Sequence, residues 1–232
     1  MNTKIFCDIA DLHLINKFSK KKIVKGFTTN PSLMRQAGAK DYKSYSKQII
    51  KISKNKPISF EVFADDQKSM IKQGKKINSW GKNIYVKVPV VNSKNEFTKK
   101  VIKELNSKNV KLNITAVYTA KQTQKILRII NKKTKVIISI FAGRAGDTGK
   151  DPVPEFVRSI RLAKKFKNVE ILWASVREPY NYLQAKQLGC HIITIPPSII
   201  EKIEKFGKSF DQLTNETVKA FLVDSKKSNF KI

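Results

Sequence analysis

Short runs of Ile, Val and Phe recur along the chain, separated by longer lysine-rich segments. They cover Ile5–Ile9, Val24–Thr28, Ile58–Phe63, Ile84–Pro89, Val110–Thr115, Val136–Phe141, Val169–Ser175 and His191–Ile195. Each has the length and composition of a strand. The segments between them repeat at helical spacing. Tyr42, Tyr45, Ile49 and Ile52 share one face of a predicted helix over Tyr42–Ile52. Phe97, Val101 and Leu105 share another, and Phe156, Ile160, Ala163 and Phe166 a third over Pro154–Phe166. Strand alternating with helix predicts parallel strands joined by crossover helices. Eight such units in 232 residues fit an α/β fold, a single closed (β/α)8 barrel, with an open doubly wound sheet as the alternative. No Pro/Gly/Ser linker breaks the series, so one domain is expected over residues 1–232. Its last part, 213–232, reads as a helix and a short tail.

Strands buried on both faces should be apolar throughout, and these are not. Asp8 interrupts Phe6-Cys7-Asp8-Ile9, Glu61 interrupts Phe60-Glu61-Val62, and Lys87 interrupts Val86-Lys87-Val88. Asn113 and Thr115 interrupt Leu112-Asn113-Ile114-Thr115, and Ser139 interrupts Ile138-Ser139-Ile140. Side chains alternate faces along a strand. The apolar neighbours can therefore face the helices while the polar residues face the barrel axis. Six polar groups then gather near the C-terminal ends of five strands, where such barrels keep their active sites.

Lys87 is the sharpest of the six. An ammonium is costly to bury. Burial disfavours the charged form of an amine and so frees a nucleophile for carbonyl groups. The alternative is a lysine that reaches water or pairs with Glu61. Asp8 and Glu61 are candidate proton shuttles, or structural partners of Lys87. Asn113, Thr115 and Ser139 can bind a polyol or position a water, or bond to backbone. Two arginines follow strand ends, Arg144 after Phe141 and Arg177 after Ser175. With Ser175 they form a candidate phosphate clamp, since arginine grips phosphate with two hydrogen bonds. Salt bridges to Asp147 and Glu178 are the alternative.

The overall charge changes this picture little. Lys and Arg total 47 against 18 Asp and Glu, a formal net charge of +29. Of the 47, 41 are lysine and six arginine, spread over the whole chain. Nucleic-acid readers lean on arginine and on interleaved aromatic residues. The excess therefore reads as a solvated surface, with no nucleic-acid partner expected. No run approaches the roughly 18 apolar residues of a membrane span, and Met1–Ala10 has no signal pattern, so neither a membrane partner nor export is expected. Cys7 and Cys190 lie far apart in apolar runs. Neither a disulfide framework nor a metal site is expected, in keeping with a reduced, cytoplasmic protein.

The interrupted strands and their flanks resemble a known family. Phe6-Cys7-Asp8-Ile9-Ala10-Asp11, Gly26-Phe27-Thr28-Thr29-Asn30-Pro31-Ser32-Leu33, Ser59-Phe60-Glu61-Val62 and Val86-Lys87-Val88-Pro89 match the transaldolases in order and spacing. So do Leu112-Asn113-Ile114-Thr115, Ser139-Ile140-Phe141-Ala142-Gly143-Arg144 and Ala174-Ser175-Val176-Arg177. The short form of that family, which includes fructose-6-phosphate aldolase, has about this length. The resemblance implies a class I aldol reaction with no metal and no organic cofactor. Lys87 would form a Schiff base with a ketose phosphate, of the fructose 6-phosphate or sedoheptulose 7-phosphate type. Asp8 would be the acid/base, and Glu61 and Thr115 would hold a relaying water. Thr28, Asn30, Asn113 and Ser139 would line the dihydroxyacetone part. Arg144, Ser175 and Arg177 would hold the phosphate.

Transaldolases resemble this chain at Glu61 and Phe141, where fructose-6-phosphate aldolase has Gln and Tyr. Transfer to an aldose phosphate, in a pentose-phosphate setting, is thus implied ahead of simple cleavage or another sugar phosphate. Departures from the pattern are Ile9, the loop Ala145–Gly149 and the run Val90–Ser93. The resemblance also implies a homo-oligomer, a pentamer or decamer, in which the C-terminal segment reaches a neighbouring subunit.

Overall fold

A computed structural model of the chain describes residues 3–228. Eight parallel strands close into a barrel in sequence order. They are β1 (Lys4–Asp8), β2 (Val24–Thr28), β3 (Ile58–Glu61), β4 (Ile84–Pro89), β5 (Leu112–Val117), β6 (Val136–Phe141), β7 (Val169–Ala174) and β8 (Ile192–Ile195). β1 pairs with β8 to complete the ring. The helices are α1 (Leu12–Ser19), α2 (Pro31–Gln36), α3 (Tyr42–Ile52), α4 (Gln67–Asn78), α5 (Lys99–Ser107) and α6 (Ala120–Leu127). They continue with α7 (Ala142–Gly146), α8 (Val153–Ala163), α9 (Tyr180–Gln187), α10 (Pro197–Ile203) and α11 (Phe210–Ser228). The chain is therefore a (β/α)8 barrel, as the alternating pattern predicts.

Several helices start where a short polar side chain closes the first turn. Asp11, Asn30, Asp41 and Asp66 each accept the backbone N–H three residues on, satisfying a donor that the helix leaves free. Thr119 and Gln122 form a reciprocal capping box at α6.

Some boundaries differ from the sequence expectation. Phe97 is not helical, because it bridges Val91 ahead of α5. β3 stops at Glu61, and Phe63 lies exposed in the following loop. β5 runs on to Val117 through an irregularity at Ala116, whose φ is +58°. Phe166 falls beyond the end of α8. The expected C-terminal helix is present as α11, three residues longer at its start, and the tail expected at 229–232 lies outside the described residues.

The period of two sorts the core into two parts. Outward residues such as Ile5, Cys7, Val86, Val88, Ile114 and Ile138 pack against the helices. Inward residues Phe6, Tyr85, Ile137, Leu172 and Ile192 fill the lower barrel. Gly26 leaves room for this filling, since a Cβ there would lie 2.6 Å from the Phe6 ring. Moving two residues along these strands passes from apolar filling to polar groups. Phe6 is followed by Asp8, Tyr85 by Lys87, Ile137 by Ser139 and Ile192 by Thr194. Among the described residues no helix is long and apolar enough to cross a membrane.

Candidate active site

A cavity of about 210 Å³ opens at the C-terminal end of the strands. Of the twelve residues singled out by sequence, eleven line it: Asp8, Thr28, Asn30, Lys87, Asn113, Thr115, Ser139, Phe141, Arg144, Ser175 and Arg177. Glu61 does not line it. Glu61 lies opposite Lys87 in the β3–β4 register, and its carboxylate meets Lys87 Nζ at 3.0 Å.

Lys87 is 7% exposed. Its Nζ also donates to the Thr29 carbonyl at 3.1 Å. The ion pair and the amide dipole together offset much of the cost of burying the ammonium. The Glu61 backbone is fixed in turn by Tyr42, whose hydroxyl donates to Glu61 O and accepts from Glu61 N–H, both at 3.0 Å.

Asp8 stands across the floor, opposite Thr28 in the β1–β2 register. The Thr28 hydroxyl donates to Asp8 Oδ1 at 2.6 Å. It lies 2.5 Å from the Thr194 hydroxyl. Thr28 has one proton to give, so Thr194 donates to Thr28 while Thr28 donates to Asp8. Burial pushes the Asp8 carboxyl above the usual range, against the charge of Lys87 and the Thr28 hydrogen bond, which pull it down. A deeper polar row locks the floor. Ser139 donates to Asn113 Oδ1 at 2.7 Å, and Asn113 donates to Ser59 Oγ at 3.0 Å. Thr115 Oγ1 is buried with no hydrogen-bond partner among the described residues. Beside it Ala116 adopts the left-handed backbone region, a bulge that re-aims this strand end.

The outer rim carries the arginines. Gly143 permits a close approach of the β6 and β7 ends, since a Cβ there would fall 1.8 Å from Ser175 O. The Arg144 N–H donates to Ser175 Oγ at 3.1 Å. Ser175 has φ +64°, a strained geometry for a residue with a Cβ and one that clusters at ligand sites. Arg177 is held by Asp147, with Nη2 2.6 Å from Oδ2 and Nε 3.1 Å from Oδ1. That hydrogen bond pushes the Asp147 carboxyl down and the Arg177 guanidinium up. The salt-bridge alternative is thus realised at Asp147, while Arg177 still lines the cavity.

Thr194 lines the cavity, and Tyr42 and Asp147 hold Glu61 and Arg177, although none of the three is among the residues singled out by sequence. Thr194 carried the same signal as the others, a polar residue in Ile193-Thr194-Ile195. Tyr42 was legible only as part of a helix face. Among the described residues no group of three or more His, Cys, Asp or Glu is placed to hold a metal ion. Cys7 and Cys190 are buried free thiols.

Known proteins resemble the chain over most of its length. The family described as Transaldolase/Fructose-6-phosphate aldolase matches residues 5–232. A probable transaldolase of Herpetosiphon aurantiacus is 31% identical over 222 residues, covering 95% of this chain and 94% of that one. A probable transaldolase of Clostridium botulinum is 33% identical over 227 residues, covering 97% of each. Among solved structures, orotidine 5'-monophosphate decarboxylase from Metallosphaera sedula aligns with a TM-score of 0.56 at 12% identity, covering 88% of this chain and 95% of that one. At that identity the likeness concerns the barrel alone.

Proposed function

The chain belongs to the transaldolase/fructose-6-phosphate aldolase family, and from that premise we propose that it moves a dihydroxyacetone unit between sugar phosphates through a Schiff base on Lys87. The observation that carries this reading is Lys87 itself, a buried lysine on a cavity wall with a carboxylate at 3.0 Å to take its proton. The neutral amine attacks the C2 carbonyl of a ketose phosphate. Loss of water gives an iminium. Asp8 takes the proton of the C4 hydroxyl, the C3–C4 bond breaks, and an aldose phosphate leaves. The bond's electron pair moves into the iminium, which becomes an enamine. Addition to a second aldose phosphate and hydrolysis run the steps in reverse and return the amine.

Each remaining group has a task in this scheme. Glu61 takes and returns the protons of the amine and the departing water. Thr115 Oγ1, without a hydrogen-bond partner among the described residues, is the hydroxyl left to hold that water. Thr28, Asn30, Asn113 and Ser139 bond the three-carbon unit, and Arg144, Ser175 and Arg177 the phosphate. Phe141 offers no proton to the enamine, which favours transfer over release of free dihydroxyacetone. The test is borohydride reduction in the presence of fructose 6-phosphate, followed by intact mass. A three-carbon adduct is expected in the native chain and none in Lys87→Ala. An active native chain without adduct sinks the Schiff base. With erythrose 4-phosphate present, sedoheptulose 7-phosphate should form faster than dihydroxyacetone, and the reverse order would make the protein an aldolase.

The reading extends to assembly. α11 has no buried residue, and Phe210, Leu213, Val218, Phe221, Leu222 and Val223 are exposed on it. Such a helix gains little from standing free in water, which supports its docking on a neighbouring copy. Light scattering should give a multimer for the full chain and a smaller species once residues 210–232 are removed; equal masses would refute the docking.

A further inference from the structure

The charge is unevenly placed on the barrel. The connections that lead from helix into strand, at the N-terminal end, span residues 20–23, 53–57, 79–83, 108–111, 128–135, 164–168 and 188–191. They hold 14 Lys, one Arg and no Asp or Glu. The connections that run from each strand to the next helix hold two basic and five acidic side chains. Helix direction accounts for part of this, because helix C-termini favour cations and N-termini favour anions. That effect fades within one turn. Lys133 and Lys135 stand six and eight residues past the end of α6, and Lys111 four past α5.

These lysines line two neighbouring cavities of about 880 and 740 Å³ with Lys133 and Lys135 as their shared wall, together a lysine-lined trough. Eight lysines and a single carboxylate, Glu170, line it. Glu170 pairs with Lys4. The other seven make no ion pair among the described residues. Burial, and then the charge of Lys135, push the Lys111 ammonium down.

We propose that this trough is a docking site for inorganic polyphosphate, a linear chain of phosphates. A concave, uncompensated row of ammonium groups suits a narrow polyanion better than a flat anionic membrane. The walls offer no platform for bases. Tyr85 is buried with Lys111 Nζ 5.5 Å over its ring, Phe166 is only partly exposed, and no Arg lines the trough. The remaining ring, His191, is half-buried with its Nδ1 accepting from the Ile171 N–H; nucleic-acid grooves add stacking to charge, and here the lining offers ammonium groups and amides instead.

The test measures binding of the full chain to long-chain inorganic polyphosphate across a salt series. If all seven unpaired lysines engage, the slope of log affinity against log salt is roughly −5. Lys133→Glu with Lys135→Glu, at the shared wall, should lower affinity at least about tenfold and flatten the slope. Lys47→Glu with Lys51→Glu, the same charge change on α3, should lower it by less than about threefold. A Gln pair at 133 and 135 should give an intermediate loss, and retained sugar-phosphate turnover reports folding. Equal losses in the two Glu pairs, or no binding by the native chain, would overturn the proposal. So would tighter binding of single-stranded DNA of matched charge, or binding confined to anionic vesicles.

Discussion

In the cavity at the C-terminal end of the barrel the charged groups are few and most of them are answered. Lys87 has Glu61 at 3.0 Å, Arg177 has Asp147, and Asp8 has the Thr28 hydroxyl. At the N-terminal end the lysines are many and most have no counter-charge. Paired charges have fixed positions, which is what chemistry on a bound carbonyl needs. Unpaired exposed lysines fix no geometry and supply only a field. The contrast teaches that net charge and catalytic charge are separate in this molecule: +29 describes the surface, and the site depends on a handful of groups balanced against one another.

The largest break in that contrast is Lys87→Ala. It removes the proposed nucleophile and leaves Glu61, with 17% of its side chain exposed, without its cation. Turnover should fall by roughly 10⁴-fold or more, the scale for loss of a covalent nucleophile. Steady-state assay on fructose 6-phosphate with erythrose 4-phosphate measures it. Residual turnover within a hundredfold of native would remove Lys87 from the mechanism. Next comes Asp8→Asn, expected to lower kcat by about 10²–10⁴-fold. The raised Asp8 carboxyl also sets two pH effects. In its proposed role as a base it must be ionised, so the acid limb of the native kcat profile should lie above the ordinary carboxylate range. For stability the sign is opposite to a salt-bridged Asp. The folded chain holds the Asp8 proton where the unfolded chain has lost it, so stability from this group falls as pH rises from the unfolded value through the folded one. Asp8→Asn should therefore unfold at higher temperature than native at neutral pH, and a lower midpoint would contradict the burial penalty.

How much of this was legible in the chain depends on which property is asked. The barrel could be read because each strand is a short apolar run. The cavity lining could be read because Asp8, Lys87, Asn113, Thr115 and Ser139 break those runs, and a buried polar break has few structural excuses. The same rule would have found Thr194. Glu61 breaks its run in the same way, yet it meets Lys87 at 3.0 Å without lining the cavity. Asp147 was legible only as a rival partner for Arg177, because the loop between α7 and α8 has no period to read. The polarity of the two ends was invisible along the chain. Lys111, Lys133 and Asp66 look alike as surface charges until the topology assigns each to an end.

A smaller effect separates the two pairs within the site. The Lys87–Glu61 pair is enclosed, whereas Arg177 and Asp147 have about half of each side chain exposed. Exposed pairs contribute little, so an incoming phosphate can displace Asp147. Arg177→Ala should raise KM for a phosphorylated donor by roughly tenfold or more. Asp147→Ala should lower it by about two- to fivefold. Neither should change KM for unphosphorylated dihydroxyacetone. A rise in KM for Asp147→Ala would make that carboxylate a support of the arginine instead of its placeholder.

The smallest effect tests whether the two ends communicate through charge. A six-residue strand such as β4 spans about 20 Å at ~3.3 Å per residue. Screening at physiological salt acts over about 8 Å. Lys135 stands four residues before Ser139 of the cavity wall, about 13 Å at ~3.3 Å per residue, so Lys133 and Lys135 lie more than one screening length from the cavity. Charge reversal at Lys133 and Lys135 should change kcat/KM for sugar phosphates by less than about twofold at physiological salt. In low salt, where screening extends to ~30 Å, the reversal should slow capture of the anionic substrate while kcat stays fixed. That loss should vanish as salt is added. A change in kcat, or a loss that persists at high salt, would mean that the two ends are coupled through the barrel itself, with its stacked interior of Tyr85, Ile137 and Leu172 as the path.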